Sequence, residues 1–150
     1  MPQIALPDGT LRQHNQGASA YDVAVEIGPG LAKAAIAAEI DGQLVDLHAP
    51  IPTASDSDQV QLRLLTKRDT ESLNVLRHSC AHVMAQAVMR LYQGVQLAFG
   101  PYTDTGFYYD LRTDTPLSEE DFPKIESEMR AIVKENANFE RIEMPREEAL

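Results

Sequence analysis

His78 and His82, in the run Leu76-Arg77-His78-Ser79-Cys80-Ala81-His82, stand four residues apart. On a helix that spacing puts two imidazoles on one face, with Cβ atoms roughly 5 to 6 Å apart. Both rings can then reach one water, one metal ion or one substrate group. Three readings of the pair follow. In the first they are ordinary residues of a solvated polar face. In the second they begin a zinc site, but a closed zinc site needs four ligands and a catalytic one needs three plus water. Cys80 is two residues from each histidine and points to the other side of the helix, and His14 and His48 belong to an earlier part of the chain. A zinc protease would also place Glu after the first His as general base, where this chain has Ser79. In the third reading one ring activates a water and the other orients substrate or stabilises charge, giving hydrolysis.

The element that must present the pair is a helix. Thr70 can cap it, and Leu73, Leu76, Cys80, Val83, Met84, Ala87, Val88 and Leu91 recur at helical spacing until Gly94. Cys80 reads as a small buried apolar residue and not as a nucleophile, since no base shares its helix face. Beyond Gly94, Val95–Phe99 and Gly106–Leu111 read as two strands joined through Gly100-Pro101 and Asp104-Thr105. Ser118 caps a further helix with Phe122, Ile125, Met129, Ile132 and Val133 on one face. Phe139–Met144 reads as a strand, and Pro145 starts a last helix whose first turn is acidic.

Upstream, Ile4 and Leu6, the turn Pro7-Asp8-Gly9 and Leu11–Gln13 predict a short hairpin. Ser19 caps a helix with Tyr21, Val23, Ala24 and Ile27 on its apolar side, stopped by Gly28-Pro29-Gly30. Ala35–Ile40, the turn Asp41-Gly42 and Gln43–Asp46 form a second hairpin, and Val60–Leu64 a closing strand. The turn-rich stretch Pro50–Asp58 between them reads as a surface loop. The predicted class is α+β, with a helix laid across a mixed sheet in residues 1–66 and a second, α/β segment in residues 67–150.

Composition narrows the function. With 150 residues and 43% hydrophobic content the chain can bury a core. Its net charge of -10 excludes a generic nucleic-acid-coating protein. Residues 67–90 invert that balance, with Lys67, Arg68, Arg77 and Arg90 against Asp69 and Glu71, so any nucleic-acid contact is local to the histidine stretch. The single cysteine forbids an internal disulfide and suits a reducing compartment, so a cytoplasmic location is expected. The N-terminus has neither the basic start nor the apolar core of an export signal, and no apolar run approaches membrane-spanning length, so no membrane association is expected.

Leu6-Pro7-Asp8-Gly9, Asp22-Val23-Ala24 and Ile27-Gly28-Pro29-Gly30-Leu31-Ala32-Lys33-Ala34, in that order, resemble a TGS domain, a ubiquitin-like β-grasp module, over roughly residues 1–66. Followed by Arg77-His78-Ser79-Cys80-Ala81-His82, Phe99-Gly100-Pro101 and Gly106-Phe107-Tyr108-Tyr109-Asp110, the whole resembles the N-terminal region of bacterial-type threonyl-tRNA synthetases. The resemblance implies that residues 67–150 begin an editing domain that hydrolyses seryl-tRNA formed on threonine tRNA. It gives His78 and His82 the activation or positioning of water at the ester, and Gly100 and Tyr109 contact with substrate. Phe107 and Tyr108 are expected to pack in the core. The family completes its editing site with a later Cys-x-x-x-His motif. It binds ATP with magnesium and zinc in an aminoacylation core, where its homodimer contacts are also expected. Leu150 precedes all of these, so the resemblance implies an incomplete editing domain, no cofactor in this segment, and a chain that alone neither charges tRNA nor edits well. The competing functions are a non-catalytic TGS module that docks RNA or protein, and a free-standing aminoacyl-tRNA editing hydrolase.

Overall fold

A computed structural model describes residues 3–52, 59–137 and 142–149. Two compact units are present, residues 1–77 and 78–150, and the division falls within one helix.

The first unit is a five-stranded mixed sheet carrying two helices. Strands β1 (Gln3–Ala5) and β2 (Leu11–Gln13) form the expected antiparallel hairpin. In its turn Gly9 sits at φ +84°, and the Asp8 carboxylate accepts a 2.9 Å bond from the Thr10 amide. Helix α1 (Ala20–Ile27) starts with a reciprocal cap: the Asp22 amide donates to Ser19 Oγ (3.2 Å), and the Ser19 amide donates to Asp22 Oδ2 (2.8 Å). Its buried face is Ala20, Val23 and Ala24, whereas Tyr21 and Ile27, expected on that side, are partly exposed at 36 and 37%.

Gly28-Pro29-Gly30 ends α1 but does not end helical structure. Gly28 closes α1 and also precedes α2 (Pro29–Ala34). The proline occupies the first helical position, where its fixed φ suits a helix and its missing N–H has no partner to lose. Strand β3 (Ala35–Ile40) then returns through Asp41 (φ 49°) and Gly42 (φ 79°) to β4 (Gln43–Val45). Positive φ at both central residues defines the tight turn that matches strand twist.

The closing strand β5 (Gln59–Thr66) lies mid-sheet in the order β2-β1-β5-β3-β4, parallel to β1 and antiparallel to β3. Val60 and Leu62 point into a core with Ile4, Ala20, Val23, Ala38, Ile40, Leu47 and Ile51. The strand's alternation then breaks, and Leu65 is fully buried beside an irregularity in β3 between Ala35 and Ala37. Opposite Glu39, Arg63 donates to Glu39 Oε2 (2.9 Å) and Asp69 Oδ1 (2.8 Å), and these carboxylates hold its guanidinium more firmly protonated than usual.

One expectation for this unit is corrected. Ile51 is not in a surface loop: it is 3% exposed, its amide donates to the Ala18 carbonyl (2.8 Å), and Pro50 bridges to Ser19. Its isoleucine side chain gains more from the core than the neighbouring turn formers gain from solvent. Residues 53–58 of the expected loop lie outside the described residues.

Helix α3 (Thr70–Leu91) carries the histidines. The expected apolar stripe is displaced: Leu73 and Leu76 are each 45% exposed, Cys80 is half-buried, and Ala81, Ala85, Ala87 and Val88 are buried. Small alanines permit close packing there that the larger apolar residues would not. In the second unit β6 (Gln96–Phe99) pairs antiparallel with β7 (Asp110–Arg112). Residues 106–109, expected in the strand, contribute only an isolated bridge between Tyr102 and Phe107. Tyr108, expected in the core, is 48% exposed, while Phe107 is half-buried.

Ser118 does cap, but it caps a 3-10 turn (Glu119–Asp121) that leads directly into α4 (Phe122–Glu135). Ile125 and Ile132 of α4 pack with Ala87 and Val88, and Phe122 and Val133 stay exposed at 55 and 67%. Arg90 clamps Glu135 through two bonds (2.6 and 2.9 Å), and Tyr92 donates to Asp121 (2.7 Å). The clamp holds the Glu135 carboxyl below its ordinary range, and the Asp121 carboxylate pushes the Tyr92 phenol upward. A last helix, α5 (Arg146–Ala149), follows Pro145 as expected. Of the strand expected over Phe139–Met144, residues 139–141 lie outside the described residues and 142–144 form no strand. No described helix is long and apolar enough to cross a membrane.

Candidate functional site

The 3.6-residue period of α3 brings His78 and His82 into direct contact. Their Nε2 atoms are 3.0 Å apart, the rings meet edge to face at 83° with centroids 4.5 Å apart, and both side chains face solvent. In such a contact only one Nε2 can donate, so the other must accept. The two Nε2 atoms thus satisfy each other, and the accepting one is open to another partner when that bond gives way.

The β6–β7 hairpin builds the facing wall. Because Phe99 pairs with Asp110, the next residues outward, Gly100 and Tyr109, are brought opposite each other. Tyr109 lies edge-on to His82, with centroids 6.4 Å apart at 74°. His78, His82, Phe99, Gly100, Tyr102 and Tyr109 line one cleft of about 360 Å³, together with Ala98 and Pro101. All of the residues expected at the site are thus gathered on one concavity. Phe99 and Pro101 were part of the motif that carried the resemblance. The cleft positions of Ala98 and Tyr102 had no signal in residue type or spacing.

A second cleft of about 730 Å³ is lined by Met84, Val88, Phe107, Leu111, Phe122 and Met129 among others, and Tyr109 borders it as well. It is the larger, but Glu126 is its one carboxylate and it holds no imidazole or thiol. Of the two, it is the smaller cleft that carries the imidazole side chains.

The described residues do not by themselves make up a zinc site. Among the described residues no three His, Cys, Asp or Glu side chains converge as a metal site, and Cys80 is not among the residues that line the cleft. Two imidazoles alone fall short of even a catalytic zinc set.

Comparisons with known proteins show what the chain is similar to. Residues 2–63 match the TGS domain model. The chain is 53% identical to the threonine–tRNA ligase of Rhodopirellula baltica over 98% of its own length and 20% of the relative's. It is 47% identical to that of Gluconacetobacter diazotrophicus, covering 100% of the chain and 23% of the relative. For that of Anoxybacillus flavithermus the identity is 45%, covering 99% and 22%. The chain thus spans about a fifth of the length of the relatives it matches. Matched along almost all of its residues, this chain corresponds to the N-terminal region of threonine–tRNA ligases, their TGS domain followed by the start of the editing domain.

Proposed function

We propose that this chain helps a threonine–tRNA ligase to bind threonine tRNA and to remove serine misattached to it, in the cytoplasm. The observation that carries the reading is the Nε2 to Nε2 contact of His78 and His82, facing a cleft walled by Gly100 and Tyr109. Serine lacks one methyl group of threonine, and a methylene is worth only about 1 to 3 kcal/mol in a binding pocket. A synthetic site made for threonine therefore cannot exclude serine well enough, and a second, hydrolytic site must finish the sorting.

In the proposed reaction a water oxygen attacks the seryl ester carbon, and the bond to the tRNA terminal ribose oxygen breaks. One imidazole takes the water proton at Nε2 and, as imidazolium, returns that proton to the departing ribose oxygen, while its neighbour's N–H orients the ester or stabilises the developing charge. The products are free serine and uncharged tRNA. Gly100 and Tyr109 bound the space for the aminoacyl group. Attachment of threonine with ATP and magnesium, the zinc of the synthetic core, and the homodimer are proposed for the whole ligase and not for these residues.

The test is deacylation of seryl-tRNA and threonyl-tRNA, both on threonine tRNA. It uses this chain alone and a chimera in which the chain replaces the matching region of the Rhodopirellula baltica ligase. Selective seryl hydrolysis by the chimera, abolished by His78→Ala and by His82→Ala, is the expected result. Seryl hydrolysis indifferent to both changes refutes the assignment. Binding of threonine tRNA to the chain that ignores both changes, together with no hydrolysis by the chimera, favours a TGS docking module.

A further inference from the structure

Gly100 is a glycine for a reason that its own backbone does not supply. It is not among the described glycines in the left-handed φ range, Gly9, Gly17, Gly42 and Gly94, so left-handed backbone is not what calls for a glycine at position 100. What a side chain there meets is Tyr109. A Cβ built on Gly100 would lie 2.2 Å from Tyr109 Cδ2, 2.3 Å from Cε2 and 2.8 Å from Cγ. These atoms belong to the body of the ring and extend to its root at Cγ, so a swing of the phenol tip does not relieve the clash. The ring must leave its place.

That place is set by the site. Tyr109 sits edge-on to His82 and borders both the histidine cleft and the apolar cleft behind it. We propose that Gly100 is a positioning residue: it leaves the space in which the Tyr109 ring seats, and through that ring it fixes the orientation of His82 and the depth of the cleft. This inference rests on the editing role proposed above only for its consequence to rate; its structural claim stands on the packing alone.

Two consequences separate this role from direct contact. A Gly100→Ala change acts only while a ring is present at 109, so the two positions are coupled and their effects do not add. The mirror consequence is that shrinking residue 109 restores tolerance at position 100.

The experiment is a double-mutant cycle of Gly100→Ala, Tyr109→Ala and the pair, read first in this chain by the imidazole NMR signals of His82 and His78 and by thermal unfolding. The expected result is that Gly100→Ala shifts the His82 signals and lowers the melting temperature, while in the Tyr109→Ala background the same change moves neither. If Gly100→Ala alone does not fold and the pair does, that rescue shows the same coupling. In the chimeric ligase, seryl-tRNA hydrolysis should fall on the order of 10²-fold in kcat for Gly100→Ala, the cost of a displacement of about 1 Å at a reacting group. In the Tyr109→Ala background it should change by no more than about twofold. Equal effects of Gly100→Ala in both backgrounds overturn the proposal, as does an unshifted His82. If the NMR cycle shows coupling but the chimera edits with every variant unchanged, the editing assignment fails and the packing claim survives.

Discussion

Replacing Asp22 with alanine removes both bonds that its carboxylate accepts from Ser19, one from the backbone N–H at 2.8 Å and one from the hydroxyl at 2.7 Å. Ser19 is 8% exposed, so water cannot readily take over the abandoned groups. The Ser19 hydroxyl still accepts from the residue 22 amide in the variant, so the cost is that of leaving the buried Ser19 N–H and hydroxyl without their acceptor, about 1 to 3 kcal/mol. The expected destabilisation at pH 7 is therefore about 2 kcal/mol, or roughly 10 °C in melting temperature for a unit of this size. The dependence on pH follows from the same contacts. The Ser19 N–H, and after it the Ser19 hydroxyl, holds the Asp22 carboxyl below the ordinary aspartate range. A group with a depressed folded pKa stabilises above its unfolded pKa and loses that contribution as pH falls through the folded value. The difference between the native chain and Asp22→Ala should thus be constant from neutral pH down to the mid-carboxylate range and should shrink only below about 3.8. Asp8 and Asp69 are also held low and titrate in the same window, so the comparison is of the two chains at each pH. Urea unfolding followed by the amide signals of α1 and β5 measures it. A difference under about 0.5 kcal/mol at pH 7, or one that persists undiminished at pH 2, refutes the assigned role of the cap.

Two further outcomes test the first unit. Leu62→Ala, at a residue 1% exposed on the central strand β5, should cost about 2 to 5 kcal/mol in urea unfolding, because the rigid surroundings of a mid-sheet site close little of the cavity. Gly42→Ala forces a Cβ into φ 79° and should cost about 1 kcal/mol although open space surrounds the position; a neutral result would show that the β3–β4 turn relaxes to another form.

Local chemistry made much of this molecule readable. The tight turns at Pro7-Asp8-Gly9 and Asp41-Gly42, the cap at Ser19 and the helical register of His78 and His82 each depend on residues within four positions of one another, and each stands in the structure as read. Misreadings arose where distant residues compete. Gly28-Pro29-Gly30 does stop α1 as read, and what the reading lacked is the helix α2 that the same proline starts. Ile51 follows turn formers, yet the sheet core takes it in. The apolar stripe of α3 was assigned to its large residues, and the buried positions fell to Ala81 and Ala85, whose small side chains admit a close neighbour.

The α+β class, two hairpins and a returning strand with a helix across them, and the pairing of two imidazoles were legible in the sequence, since hydropathy period, turn residues and helical pitch are properties of neighbours along the chain. Only the tertiary structure decided that Gly100 and Tyr109 meet, and that the Tyr109 ring stands edge-on to His82. The first contact crosses the β6–β7 hairpin and the second joins that hairpin to a helix, and both follow from strand register and packing, which no interval in the sequence encodes.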